Sequence, residues 1–454
     1  MTVFLLWLLL ALHQACNTPS VVNVTSLGAH PDGTDAPGTT MAFHNAFASE
    51  PTGEIVIPPG HYLIDNSSGP LIISNFSGLL EFQGAAQLVF TNNANGGLLF
   101  VGGVGARIYG LRATYATPPT VRKSPNEEVK FSGTRNTFLT DTIVENSPAA
   151  GILFFDSVNP SVTNATVLNS LADGLNFSNC QNARVTNLIT ENTGDDGLAF
   201  VNYAQHPNLT GGLAQGIVIT NSKARGIAVA GQSDVIVNGF EIHSTSSSGV
   251  LVAFDPANVT RVPANVFIEN GAIYNAGTLP PLVGNQYGVE FNSQESATFS
   301  NIEVIASGDN GLSGTSPKGS VAVNNVTVDS PRKGLGFLFY RTQTVRMSSS
   351  AANATPSYGF LSLQSDRVVV VDLTVTNAST IDPLKRALWF EDTHAILASS
   401  ISIVSDGTTA NVIGCRVNRG HAASSGSVKT INFSSDSDRL LSIDNGCQNV
   451  VFAH

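Results

Sequence analysis

Charge is scarce in this 454-residue chain, in which Asp, Glu, Lys and Arg together make up only 12%. Lys and Arg number 22 against 33 Asp and Glu, for a formal net charge of −11, so there is no basic face to meet the phosphates of a nucleic acid. The same shortage excludes charged heptads and disorder-prone composition. Aromatics are few at 7%, and beyond the N-terminal segment the sole Trp is Trp389, a residue that suits the core. No phosphate loop, zinc-ligand spacing or Ser-His-Asp signature is present, so neither cofactor nor metal is expected. The glycines between Gly96 and Gly110 precede no helical pattern and read as β-turns. Long apolar runs are missing with one exception, Val3 to Leu12, which is too short to span a bilayer and is followed by a polar stretch containing Ala15. Residues 1–16 are therefore expected to be a secretory signal, the mature protein being extracellular and free of the membrane. Sequons at Asn23, Asn66, Asn75, Asn208, Asn258, Asn353 and Asn377 agree with that route, although an Asn-rich chain generates sequons by chance. Asn164 and Asn176 are sequons inside the repeat, and not all such positions are expected to be exposed.

Glycine and β-branched residues are abundant, and they recur. A glycine-led apolar segment appears as Gly151-Ile-Leu-Phe, Gly174-Leu-Asn-Phe, Gly197-Leu-Ala-Phe, Gly226-Ile-Ala-Val, Gly249-Val-Leu-Val, Gly288-Val-Glu-Phe, Gly311-Leu, Gly334-Leu-Gly-Phe and Gly359-Phe-Leu-Ser, most often 23 residues apart. Between these run β-branched alternations such as Val162-Thr-Asn-Ala-Thr-Val167 and Val185-Thr-Asn-Leu-Ile189, with Asn at the turns. At least two strands per unit and no amphipathic helix exclude leucine-rich and helical repeats. The expected fold is all-β, a right-handed parallel β-helix in which each coil buries its apolar face by stacking on the next.

The period crosses every candidate boundary from about residue 132 to about residue 390, so one elongated domain is expected. Its parts are a signal (1–16), an N-terminal cap with the first coils (17–130), a β-helix carrying the catalytic groove (131–400), and C-terminal coils with a cap (401–454). Met41-Ala-Phe-His-Asn-Ala-Phe47 has a one-sided apolar pattern and is expected to be a short helix plugging the N-terminal end. Asp32 and Asp35 suit turn and cap positions before it. Of four cysteines, Cys16 falls at the edge of the signal. In an oxidising compartment Cys415 and Cys447 are free to pair near the C-terminal end, leaving Cys180 a buried thiol; three unbonded thiols fit the odd count equally well.

The residues preceding the repeat glycines form one phase: Ala150, Asp173, Asp196, Arg225, Ser248 and Tyr287. Stacked strands lie about 4.8 Å apart, so Asp173 and Asp196 are neighbours in a column, with Arg225 on the next coil and Asp195 beside Asp196. Carboxylates this close oppose one another's ionisation and make a poor scaffold. A turn role for Asp195 and Asp196, with Arg225 neutralising Asp196, is the plain alternative. Glycosidic cleavage needs a protonated and an ionised carboxyl together, roughly 6.5–9.5 Å apart when the anomeric configuration inverts. Three clustered Asp supply both forms.

The segments Leu171-Ala-Asp-Gly-Leu-Asn-Phe177 and Thr193-Gly-Asp-Asp-Gly-Leu-Ala-Phe200, followed by Ala224-Arg-Gly-Ile-Ala-Val and Ser248-Gly-Val-Leu-Val252, resemble the catalytic region of family 87 glycoside hydrolases, the α-1,3-glucanases and mycodextranases. The resemblance covers about residues 168–255, departing at Arg225 where Asn is expected. It implies a secreted, monomeric, inverting and endo-acting hydrolase of a neutral α-glucan such as α-1,3-glucan, with Asp195 as acid and Asp173 with Asp196 holding the water. The opening Val24-Thr-Ser-Leu-Gly-Ala-His-Pro-Asp-Gly-Thr-Asp35, continued by Gly53-Glu-Ile-Val-Ile-Pro-Pro-Gly60, is similar to that of the wider pectate-lyase and polygalacturonase superfamily. The acids also match family 28 polygalacturonases. Their later motifs fail, however, because Arg225, Leu251 and Ala253 stand where His, Arg and Lys would be, which removes the charge-assisted grip on a uronate.

Candidate substrate-binding residues are Asn176, Arg225, Tyr203 and His206; Asp234 and His243 suit ordinary surface or turn positions as well as subsites. A calcium-dependent uronate lyase, with the acids holding the ion and Arg225 as base, is one competing reading. A non-catalytic β-helix that binds glycan is another.

Overall fold

From residue 129 to residue 305 each coil is built from a four-residue strand and a longer strand of 8 to 11 residues, with left-handed Asn, Asp or Gly common in the turns between them. The computed structural model describes residues 20–379, 386–404, 412–418, 421–433, 440–443, 447 and 449–453; the expected signal, residues 1–16, lies outside these. In the described residues 33 strands form one sheet system in which every inter-coil pairing among the named strands is parallel. Ile152–Phe155 pairs with Leu175–Ser178, then Leu198–Val201, Ile227–Ala230, Val250–Ala253 and Val289–Asn292, each in register. The chain is thus a parallel β-helix.

The corners explain why the stretch from Val162 to Val167 is not one straight strand. Asn164 is left-handed (φ 53°), as are Asp141, Asn187 and Asn270 at the same place in other coils. Asn and Asp tolerate this conformation better than other non-glycine residues. Residues on both sides of the bend therefore return to the interior, and Val162, Ala165 and Val167 are all buried. Side chains at the corners bond from coil to coil, Asn164 Nδ2 donating to Asp141 Oδ1 (2.9 Å) and Asn187 Nδ2 to Asn164 Oδ1 (3.0 Å). A sequon amide such as that of Asn164 is thereby committed to the ladder. Asn66 is fully buried with both amide hydrogens donated, to the carbonyls of Asn92 and Gly96, so that position is closed to a glycan.

Inside, Phe100, Phe131, Phe154, Phe177 and Phe200 stack ring on ring with centroids 4.4–5.5 Å apart. The glycine column is needed for close approach: a Cβ on Gly174 would lie 2.5 Å from the Gly197 carbonyl oxygen and 2.6 Å from Thr190 Cγ2. One expectation is corrected here. Leu312 pairs with Phe337, so the column continues through Gly336 and not Gly334, because the strand Phe337–Asn353 starts after the second glycine of Gly-Leu-Gly.

Helix α1 (Ala36–Ser49) extends well beyond its apolar core, starting from Asp35, whose carboxylate accepts the Gly38 N–H. It turns Ala42, Phe43 and Ala46 inward, Phe43 meeting Tyr62 edge to face, and covers the N-terminal end. Asp32 accepts bonds from Thr34 in the preceding turn. Near the other end Cys415 and Cys447 form a disulfide with their Cα atoms 6.0 Å apart, and Cys180 is a buried thiol.

Candidate active site

The turn before each four-residue strand sets the column residues against one another by a repeated bond. Asp173 Oδ1 accepts the backbone N–H of Asp196 (3.1 Å), and Asp196 Oδ1 accepts that of Arg225 (2.9 Å). Asn310, in the same column three coils beyond Arg225, does likewise for Leu335 (2.8 Å). One oxygen of each Asp therefore ties coil to coil, a task an amide performs equally, and the second oxygen is left for other work. An oxygen of Asp173, one of Asp195 and one of Asp196 all lie within 4.8 Å of one another.

Three cations approach this group and each is matched. Arg225 donates from Nη2 to Asp196 Oδ2 (3.0 Å); its Nε lies 2.9 Å from Oδ1 but off the N–H axis, so that contact is one of charge and not a hydrogen bond. Arg122 Nη1 reaches Asp195 Oδ2 at 2.7 Å. Lys130 Nζ lies 3.1 Å from Glu127 Oε2. Asp173 has no cation of its own, only the Asn176 amide, which donates to Oδ2 at 2.6 Å and is itself held by Ser178. Burial raises the Asp173 carboxyl to about 6, with repulsion from Asp195 second, against the lowering bonds of Asn176 and Asp196. Burial raises Asp196 further, to about 8, in spite of the opposing Arg225 guanidinium, its side chain being 6% exposed, so the two stacked carboxyls share the tendency to hold a proton. With four carboxylates against three cations, one proton neutralises the site, and Asp173 is the carboxyl lacking a counter-charge.

A cavity of about 330 Å³ opens in front of Asp173, lined among others by Arg122, Glu127, Lys130, Asn176 and Tyr203. Of the expected substrate-binding residues Asn176 and Tyr203 thus line the cavity, and Arg225, paired with Asp196, does not. His206 is not among the lining residues. It packs edge-on against the lining Phe155, with Nδ1 3.2 Å from Asp156, while its carbonyl accepts from Arg261. Asp234 is a turn residue accepting from Asn265, and His243 bonds Glu241 and stacks on Tyr274, so neither joins the acids. Arg122, Glu127 and Lys130 are not marked by the repeat. Arg122 belongs to a loop 73 residues before Asp195, and only Glu127's place in the glycine-preceding phase, two coils before Asp173, hints at it. On spacing the three Asp could ligate a divalent cation, but guanidinium groups already occupy the approach to two of them.

A family description for a right-handed beta helix region matches residues 213–438. The fold is a right-handed parallel β-helix. Among solved structures, the catalytic unit of a thermostable GH87 α-1,3-glucanase from Streptomyces thermodiastaticus strain HF3-3 is similar to this β-helix with a TM-score of 0.58 at 18% identity, covering 95% of this chain and 70% of that one. The Agl-KA catalytic domain gives 0.50 at 16%, covering 95% and 68%. The pre-mature bacteriophage phi29 gene product 12 gives 0.62 at 12%, covering 96% and 60%. No curated protein matches the chain. A β-helix of this shape is thus shared by a glucanase and a phage protein, and activity has to be argued from the residues in the groove.

Proposed function

We propose that this protein is a secreted glycoside hydrolase, inverting and endo-acting on a neutral α-glucan such as α-1,3-glucan. The observation that carries this reading is the gathering of Asp173, Asp195 and Asp196 within 4.8 Å of one another, with Asp173 lining an open cavity and a single proton's worth of charge unbalanced. Acid and base roles both require that condition. The glucanase catalytic unit of the same fold supports the substrate class. So does the pairing of Lys130 and Arg225 with carboxylates, which keeps these two cations from a uronate.

Without substrate the acids are packed more tightly, at their nearest oxygens, than the roughly 6.5–9.5 Å between the carboxyls of an inverting pair. Substrate entry displaces Arg122 from Asp195 in our reading, freeing that side chain to turn outward. Once Asp195 loses its counter-charge, the proton shared by Asp173 and Asp196 passes to it. Asp195 then protonates the glycosidic oxygen while Asp173 and Asp196 hold the attacking water. Arg122→Gln is accordingly expected to raise the alkaline limb of the kcat/KM profile by on the order of one pH unit, since removing a cation makes neighbouring carboxyls hold protons more tightly. An unmoved limb would detach Arg122 from the proton balance.

The direct test is incubation with a panel of neutral and uronate polysaccharides, with the anomeric proton of the first product followed by NMR. New α-linked ends appearing initially as the β-anomer from a neutral α-glucan are the expected result. The α-anomer would overturn inversion, and unsaturated uronate products would replace the hydrolase with a lyase.

A further inference from the structure

Three coils beyond Asp196 in the strand register, at Tyr287, the same sheet face carries a second depression of about 140 Å³, lined among others by Asn285, Tyr287, Glu290, Ser313 and Tyr340. At about 4.8 Å per coil Asp173, the acid lining the first cavity, and Tyr287 lie four coils or roughly 19 Å apart, too far for one sugar to touch both. Its chemistry differs from that of the acid cluster. Asn310 takes the place of Asp196 in the segment Ser307-Gly308-Asp309-Asn310-Gly311, which repeats Thr193-Gly194-Asp195-Asp196-Gly197 down to the hydroxyl bond onto the first Asp's carbonyl, Ser307 Oγ to Asp309 O (3.1 Å) and Thr193 Oγ1 to Asp195 O (3.0 Å). An amide cannot take up a proton as a carboxylate does, so this echo of the motif keeps the position of Asp195 as Asp309 and loses the carboxylate of Asp196.

Glu290 is the one carboxylate among the residues lining the depression, and no cation forms an ion pair with it among the described residues. Ser248 Oγ donates to its Oε2 (2.6 Å) and Asn285 Nδ2 to its Oε1 (2.7 Å). Each oxygen has one bond from the protein and further lone-pair capacity turned to a half-open pocket. A carboxylate fixed in this way accepts two adjacent hydroxyls of a sugar ring, while the rings of Tyr287 and Tyr340 offer apolar surface to its C–H face. An anion would be repelled. The loop between Asn275 and Tyr287, longer than the short turns of the neighbouring coils, brings Asn285 to the carboxylate and is pinned by Thr278 and Val283 N–H bonds to the coil below. Tyr287 and Glu290 share a strand entry, so the site is assembled on the rigid sheet.

We infer that the depression at Tyr287, Glu290 and Tyr340 is a distal binding subsite for a neutral sugar residue of the same chain that is cut at the acid cluster. The inference rests on the hydrolase reading for the identity of the ligand, but not for its existence. It makes recognition depend on chain length, because only an oligosaccharide spanning both depressions engages Glu290.

The test uses the full-length Asp195→Asn protein, in which turnover is blocked, and nigero-, malto-, isomalto- and laminari-oligosaccharide series from two to eight units, with affinity measured by calorimetry. Affinity is expected to rise with length in one series, and Glu290→Gln or Tyr340→Ala is expected to abolish that rise, weakening the longest chains by about tenfold or more. Wild-type protein is assayed for hydrolysis of the same series in parallel. Length-dependent affinity lost in both variants without hydrolysis by wild type would keep the subsite and sink the hydrolase. Hydrolysis with the length dependence intact in both variants would sink the subsite and keep the hydrolase, leaving Glu290 as a pin for its loop. No binding and no hydrolysis would overturn both.

Discussion

Asp173→Asn and Asp195→Asn are each expected to lower kcat by at least about 10²–10⁴-fold, the usual worth of a positioned acid or base, while leaving the fold intact. The second half of this expectation comes from the column itself. The oxygen by which Asp173 accepts the Asp196 N–H is replaceable by an amide oxygen, as Asn310 demonstrates with Leu335. Asp196→Asn differs. It also removes the charge facing Arg225, whose side chain is 28% exposed and whose ion-pair partner is this one carboxylate, so a loss of thermal stability should accompany the loss of activity. Because the three act as a unit, the double variant Asp173→Asn/Asp195→Asn should be little worse than the weaker single one. Activity on a polysaccharide substrate and thermal melts of the same preparations check both halves. Wild-type kcat in either single variant would reduce the acid column to scaffold.

Much of this site is legible in the amino-acid sequence because a solenoid turns period into spatial neighbourhood. Asp173 and Asp196 stand 23 residues apart at the same phase, and their strands pair in that register. The slip between Gly334 and Gly336 is harmless to that reading, since a shift by two keeps every side chain on its own face. It arises because Gly-Leu-Gly presents two glycines of equal parity, and only the pairing of Leu312 with Phe337 decides between them. The corners are half legible: Asn announces turns, but its left-handed backbone at Asn164, which folds one apparent strand into two faces, depends on the coil closing around a core.

Arg122 is not legible in this way. It lies in a loop outside the repeat, and where a loop lands is decided by the surfaces beneath it. The depression at Glu290 escapes for a related reason. Ser248, Asn285 and Glu290 are brought together by an insertion between repeats, and insertions carry no period to read.

Glu128 marks the place where the chain departs from its own pattern. It stands in the column otherwise occupied by Gly97, Gly151 and Gly174, fully buried, and neither carboxylate oxygen has a hydrogen-bond partner among the described residues. The titratable groups that bear on it are Glu145, which repels an ionised Glu128, and Tyr115, whose hydroxyl is spent on the Asn95 carbonyl. No cation among them offsets burial, which pushes the carboxyl well above its ordinary value of 4.5. The unfolded chain releases the proton near 4.5 while the folded chain keeps it. Folding stability from this group is therefore greatest below about pH 4.5 and declines as pH rises towards the folded-state value. Glu128→Met, similar in length and without charge, is expected to stabilise the protein at pH 8 by on the order of 2 kcal/mol, with the advantage shrinking at pH 4. Urea unfolding of both proteins at the two pH values measures it. Equal stability at pH 8 would mean that the carboxylate ionises in place with a partner, and a Met penalty at both values would mean that the cavity is shaped for the acid.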